Sequence, residues 1–238
     1  MINFPLDKIL PYLEGVAELN EESLEKLNAY ANLLVEWNEK MNLTAITEPT
    51  EVVFKHFLDC LLFLKEVQLP SGAKIIDVGT GAGFPGMVLA IARPDVSVTL
   101  LDSLNKRITF LNDVIEKTGI KNAVAVHSRA EEGGRQEQYR EKFDFATARA
   151  VAPLNVLSEY CLPYVKKGGS FVALKGPAAE EEIQLAKKAV SLLGGGEIEF
   201  SSLELADYGA RTIIKIKKIS QISAKYPRNS GKIAKQPL

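Results

Sequence analysis

The stretch Asp77-Val78-Gly79-Thr80-Gly81-Ala82-Gly83-Phe84-Pro85-Gly86 follows directly on Lys74-Ile75-Ile76 and leads into the apolar run from Met87 to Ala92. A short β-rich run, four glycines within residues 79–86 and then an apolar stretch read as a buried strand, a tight turn and a helix from about Phe84. Glycine permits positive φ and leaves no Cβ between the backbone and a ligand, while the first turn of the helix offers unpaired N–H groups. An adenosine-bearing cofactor suits such a turn. The bland alternative is a turn that only tightens strand against helix.

Two frames compete over the loop. Gly81-x-Gly83-x-x-Gly86 satisfies the dinucleotide fingerprint, with a pyrophosphate on the helix N-terminus. Asp77-x-Gly79-x-Gly81-x-Gly83 instead resembles motif I of class I S-adenosylmethionine-dependent methyltransferases. The loop alone does not choose between them; its surroundings do.

After Leu69-Pro70-Ser71-Gly72, short β-rich runs alternate with helical stretches, which marks a doubly wound α/β sheet. Seven strands are expected: 74–78, 96–101, 123–127, 143–149, 170–175, 196–203 and 211–218, with helices of about 10 to 15 residues between the first six. Only Ala206-Asp207-Tyr208-Gly209 and its neighbours separate the last two, too little for a right-handed parallel crossover. They form an antiparallel hairpin. This layout resembles the class I methyltransferase fold, Rossmann-like and mostly parallel, with its last strand inserted antiparallel beside the fifth. A dinucleotide dehydrogenase would need a further substrate domain, for which no chain remains.

Upstream, Asn20 is positioned to cap a helix whose apolar face is Leu24, Leu27, Ala31, Leu34, Trp37 and Met41. A second helix runs from about Glu51 to Val67 with Val53, Phe54, Phe57, Leu61 and Leu64 on one face. The expected organisation is a helical cap over 1–70, a methyltransferase domain over 71–220 and a basic, mobile tail over 221–238. Cys60 and Cys161 lie far apart and match no metal spacing, which suggests buried thiols in a reducing compartment. No basic-then-apolar leader opens the chain, no run is long enough to span a bilayer, and no heptad is evident, so a cytoplasmic monomer is expected. The net charge of −1 gives no overall basic field. Its distribution is uneven: residues 1–73 hold five Lys/Arg against twelve Asp/Glu, and residues 211–238 hold eight Lys/Arg and no acid.

In such a sheet ligands sit outside the carboxyl ends of the strands. Asp102 ends the second strand and could accept from ribose hydroxyls, or merely cap the helix near Leu104. After the third strand, backbone groups of Ala130 and Glu131 could read the adenine edge, or Glu131 could sit opposite a helix dipole. Phe84 packs against the cofactor or is a plain core residue. The fourth strand ends in Ala148-Arg149-Ala150-Val151-Ala152-Pro153-Leu154, without the Asn/Asp-Pro-Pro-aromatic run of adenine amino-methylating enzymes, and neither cysteine follows a proline as in enzymes that attack pyrimidine carbon. A ring nitrogen such as guanine N7 has a free lone pair and no proton to lose, so positioning alone could drive its methylation. Arg149 and Lys175 are candidates to hold substrate, Arg149 equally to clasp a cofactor carboxylate, and either could be a surface ion-pair partner. His56, on an apolar helix face, reads as structural rather than as a base.

Jointly, Trp37-Asn38-Glu39-Lys40-Met41-Asn42-Leu43-Thr44, His56-Phe57-Leu58-Asp59, the loop Asp77 to Gly86, Leu101-Asp102-Ser103 with Lys106-Arg107, Ser128-Arg129-Ala130-Glu131, Ala148-Arg149-Ala150, Leu174-Lys175-Gly176 and Tyr226-Pro227-Arg228 resemble the RsmG (GidB) family of bacterial small-subunit rRNA guanine-N7 methyltransferases. The resemblance implies methyl transfer from S-adenosyl-L-methionine to N7 of a guanine in the decoding-region loop of 16S rRNA, with the small subunit or its RNA as partner. It implies cofactor contact at Gly79, Phe84, Ala130, Glu131 and Arg149, beside Gly81 and Asp102 from the strand-end reading. No metal and no catalytic acid or base is called for. Lys217 and Arg228 of the basic C-terminal region join Lys175 as expected RNA contacts, although Lys215 and Lys217 alternating with Ile214 and Ile216 also suit the solvent face of an edge strand.

Overall fold

The computed structural model describes residues 2–149, 152–177 and 179–238; Ala150 and Val151 of the run after the fourth strand lie outside them. One seven-stranded sheet has the order β3-β2-β1-β4-β5-β7-β6. Its parallel part comprises β1 (Lys74–Val78), β2 (Ser97–Asp102), β3 (Ala123–His127), β4 (Phe143–Arg149) and β5 (Val165–Lys175). The hairpin of β6 (Gly195–Glu204) and β7 (Ala210–Lys218) closes it, with β7 antiparallel between β5 and β6. The class I arrangement expected from the sequence is present. β7 is nevertheless an interior strand, so the lysines on it do not guard a sheet edge; β6 does the edge duty.

Of the crossover helices, α6 (Asn105–Thr118) and α9 (Ala179–Leu192) have the expected length. α5 (Gly86–Ala92), α7 (Ala130–Gly133) and α8 (Leu154–Cys161) are shorter than the 10 to 15 residues anticipated. For α7 the cause is local: Gly133-Gly134 weakens helix propagation, and the chain reaches β4 through turns.

The cap begins with a 3₁₀ turn, Leu6–Leu13, followed by α1 (Glu21–Asn38), where Asn20 caps as expected by accepting from the Ser23 N–H at 2.9 Å. The second cap helix is interrupted. It consists of α2 (Pro49–Val52), a π-helical segment Val53–Leu58, α3 (Asp59–Leu61) and α4 (Phe63–Glu66). Tyr30, Leu34, Phe57 and Leu61 of the cap share one apolar cluster with Leu89 of α5 and Phe110 of α6, on one face of the sheet. On the other face, Leu157, Cys161, Phe171 and Val190 belong to a second cluster. Both cysteines are buried and free, and burial pushes their thiols up.

The tail expected to be mobile is docked. Ile233 of α10 (Ser230–Lys235) and Tyr226 are buried, and Arg228 grips Glu159 of α8 through Nε at 2.8 Å and Nη2 at 2.6 Å. Composition signals solvation here, but a buried carboxylate across the chain supplies the partner that sequence proximity conceals. No helix among the described residues is long and apolar enough to cross a membrane.

Candidate cofactor and substrate cleft

The loop after β1 is braced from beneath. Asp77, fully buried, accepts through Oδ2 from the Thr80 hydroxyl at 2.6 Å and the Gly86 N–H at 2.8 Å. Burial raises its carboxyl to about 6 against the pull of those two donors, and its Oδ1 has no hydrogen-bond partner among the described residues. Gly81 sits at φ +62°, and a Cβ placed there would meet nothing nearer than the Gly79 carbonyl at 4.0 Å, so it would project into the cleft. Gly86 is tight for another reason: a Cβ would come within 2.5 Å of Leu100 and 2.8 Å of Asp77.

Above the loop lies a cleft of about 570 Å³, within the size range of small-molecule sites. Gly79, Gly81, Phe84, Asp102, Ala130, Glu131 and Arg149 all line it. They come from four segments separated in sequence, and the parallel register of β1, β2, β3 and β4 brings their carboxyl ends together. Asp102 Oδ1 accepts from the Leu104 N–H at 2.9 Å, just ahead of α6, whose own first-turn N–H groups take no side-chain cap, and Oδ2 accepts from the Gly81 N–H at 2.9 Å and Arg107 Nη1 at 3.2 Å. A carboxylate has about four acceptor positions, so these three contacts leave one for a ligand hydroxyl. The Ala130 carbonyl accepts from the Tyr164 hydroxyl at 2.7 Å, which fixes the backbone there.

At the other wall Phe84 stacks on His56, with centroids 4.4 Å apart, and lies under the Arg149 guanidinium at 4.7 Å. Phe84 is thus a core residue and a cleft wall at once. Arg149 donates through Nη1 to Asp59 at 2.9 Å and to the Lys55 carbonyl at 3.2 Å. Asp59 is shared with Arg211, 3.1 Å away on β7. His56 is driven to a pKa of about 3 by burial first and the neighbouring Arg149 charge second, so it is neutral around pH 7.

The three residues expected to hold substrate do not line this cleft. Lys175 is held by the Ala152 carbonyl at 2.6 Å and Glu182 at 2.7 Å. Arg228 is spent on Glu159. Lys217, near the end of β7 away from the cleft because that strand runs antiparallel, pairs with Ser170 in the middle of β5. Elsewhere in residues 211–238, Arg211, Lys215 and Lys218 also pair with acids of this chain. Besides Arg149, the cations that line the cleft are Arg107 and Arg129, together with the polar residues Thr44, His56, Ser103, Tyr160 and Ser230. Thr44 comes from an irregular segment without a periodic signature, so its only sequence signal lay in the family motifs; His56, which the spacing puts on an apolar helix face, is brought to the cleft by a π-helical turn. Ser230 reaches the cleft through the docked tail, a placement no local pattern announces.

The residues fit an adenosine-bearing methyl donor. The glycine backbone leaves a cradle that a Cβ would fill, Asp102 has acceptor capacity, and a fixed cation stands at the opposite wall.

Comparison with known proteins agrees. A family described as rRNA small subunit methyltransferase G (GidB) matches residues 23–232. The chain is 53% identical to Ribosomal RNA small subunit methyltransferase G of Clostridium botulinum strain Eklund 17B over 222 residues, 93% of each chain. It is 49% identical to the protein of that name from Desulforamulus reducens, covering 93% of this chain and 92% of that one. Among solved structures it is similar to a precorrin-6y C5,15-methyltransferase from Geobacter metallireducens, with TM-score 0.53, 14% identity and coverage of 75% of this chain and 91% of that one. It is also similar to a SAM-dependent methyltransferase from Aquifex aeolicus, with TM-score 0.52, 19% identity and coverage of 76% and 97%. At those identities the two structures speak for the fold alone.

Proposed function

The chain belongs to the rRNA small subunit methyltransferase G family, and from that premise we propose that it transfers a methyl group from S-adenosyl-L-methionine to N7 of a guanine in the decoding-region loop of 16S rRNA. The observation that carries the reading is the convergence of Gly79, Gly81, Phe84, Asp102, Ala130, Glu131 and Arg149 on one cleft. When bound, S-adenosylmethionine supplies a sulfonium-activated methyl group for in-line displacement.

The chain's residues would hold the donor in parts. Gly79 and Gly81 would leave room over the loop, Asp102 would accept from one ribose hydroxyl, and the backbone at Ala130 and Glu131 would meet the adenine edge. Arg149 offers remaining N–H donors to the amino-acid carboxylate, with its plane fixed by Phe84 and Asp59. Guanine N7 attacks with its own lone pair, so no residue has to take a proton before transfer. Orientation in a walled site supplies the rate. A histidine with a pKa of about 3 is a poor base and is not needed as one. On the RNA side, Arg107 and Arg129, which line the cleft where Lys175, Lys217 and Arg228 do not, would meet phosphate.

Small-subunit RNA from cells lacking this protein, naked and as assembled subunits, is the test substrate for labelled methyl transfer. Label at N7 of a guanine in the 16S RNA is expected. No label in either form sinks the proposal.

A further inference from the structure

At the Phe84 wall the direction of each hydrogen bond is forced. Arginine only donates, so the 3.2 Å contact of Arg149 Nη2 with His56 Nδ1 makes that nitrogen an acceptor. A neutral imidazole accepting at Nδ1 carries its proton on Nε2. Nε2 lies 2.9 Å from Thr44 Oγ1 and donates to it. A second donor, the Ile46 backbone N–H, reaches the same oxygen at 3.0 Å. A hydroxyl has two lone pairs and one proton. Both lone pairs of Thr44 are occupied by nitrogen donors; only the proton remains, and no acceptor among the described residues takes it. The backbone is fixed as well, because Asn38 Oδ1 accepts from the Leu43 N–H at 2.7 Å and the Thr44 N–H at 2.9 Å. Thr44 lines the cleft with Leu43, His56 and Phe84.

We propose that Thr44 determines base specificity: its hydroxyl, confined to donating, reads the exocyclic oxygen beside the reacting ring nitrogen and thereby separates guanine from adenine. The inference rests on the guanine-N7 reading above. N7 is common to both purines, whereas its neighbour is the O6 acceptor in guanine and the N6 amino donor in adenine. Guanine gains a hydrogen bond; adenine sets donor against donor, and Thr44 has no lone pair to turn toward it. His56 and Arg149 act through Thr44 as positioning residues. Keeping His56 neutral does not alter the sense of its donation, but it leaves Nδ1 able to accept from Arg149 and so locks the ring.

The test uses small-subunit particles reconstituted with either guanine or 2-aminopurine at the target position; 2-aminopurine keeps N7 and lacks O6. Full-length wild type, Thr44→Val and Thr44→Ser are compared by kcat/KM on both particles, with adenosylhomocysteine affinity measured for each protein. Thr44→Val should lower the guanine-over-2-aminopurine ratio about tenfold by losing rate on guanine alone. Thr44→Ser should restore the ratio, and adenosylhomocysteine affinity should be alike in all three. A ratio unchanged in Thr44→Val, including equal loss on both particles, overturns the assignment. If wild type methylates guanine in neither particle nor natural subunits, the proposed function itself fails and the inference falls with it.

Discussion

Two glycines of one loop do different work, and substitution should separate them. Gly86→Ala forces a methyl group against Leu100 and Asp77, so a stability loss of about 1 to 3 kcal/mol is expected from overpacking. Gly81→Ala meets no neighbour within the protein but must hold φ +62°, costing about 1 kcal/mol, while its methyl intrudes on the cofactor cradle. Thermal unfolding with and without adenosylhomocysteine distinguishes the two: the ligand-induced rise in Tm should be largely lost in Gly81→Ala and retained in Gly86→Ala. His56 supports a pH prediction. Its folded pKa of about 3 lies below the ordinary 6.5, so the unfolded chain takes up the proton first and stability drains away as pH falls from about 6.5 toward 3. Asp77, held protonated up to about 6 rather than 3.8, works in the opposite direction over the upper part of that window. Urea midpoints between pH 7.5 and 4.5 should therefore fall less steeply on acidification in His56→Gln than in wild type. A parallel pH dependence in the two proteins would contradict the assigned environment.

At the scale of elements, the C-terminal segment is the part that composition misrepresents. Residues 221–238 are rich in Lys, Ser, Pro and Gln, a mixture that ordinarily remains solvated. Order comes from partners distant in sequence: Arg140 donates to the carbonyls of Ile222, Ser223 and Tyr226, and Glu159 of α8, 1% exposed at its side chain, takes Arg228 on both oxygens. Removing one partner of a buried pair costs about 3 kcal/mol or more, so Arg228→Ala should release the tail and lower the unfolding midpoint. Limited proteolysis is expected to cut the variant after Lys225, Lys232 or Lys235 well before wild type. Because Ser230 lines the cleft, the same variant should also weaken adenosylhomocysteine binding. The regular elements were more legible. Strand periodicity located β1 to β7 within a few residues, since parallel strands buried on both faces read as short apolar runs between turn residues. Helix lengths were less so, because the glycine pair at the end of α7 stops that helix early and the π-helical turn before α3 is not encoded in spacing.

Across the whole molecule, the loop-first reading picked out residues that line one cleft because strand ends and glycines are local signals, and topology alone makes them converge. Lys175, Lys217 and Arg228 do not line it, for a reason of scale. Charge counted along the chain cannot show that Lys215, Lys218, Arg211 and Arg228 meet acids distant in sequence, or that Lys217 stands at the opposite end of the sheet. Thr44 and His56 enter the cleft only because the cap and the sheet have a common interior, in which Tyr30 and Phe57 pack with Phe84 and Phe110. Hinging the cap away would wet those rings, an expense a small protein can seldom sustain. Accommodation is therefore left to the nucleic acid: the nucleotide must unstack and swing toward an enzyme that waits with its walls already in place.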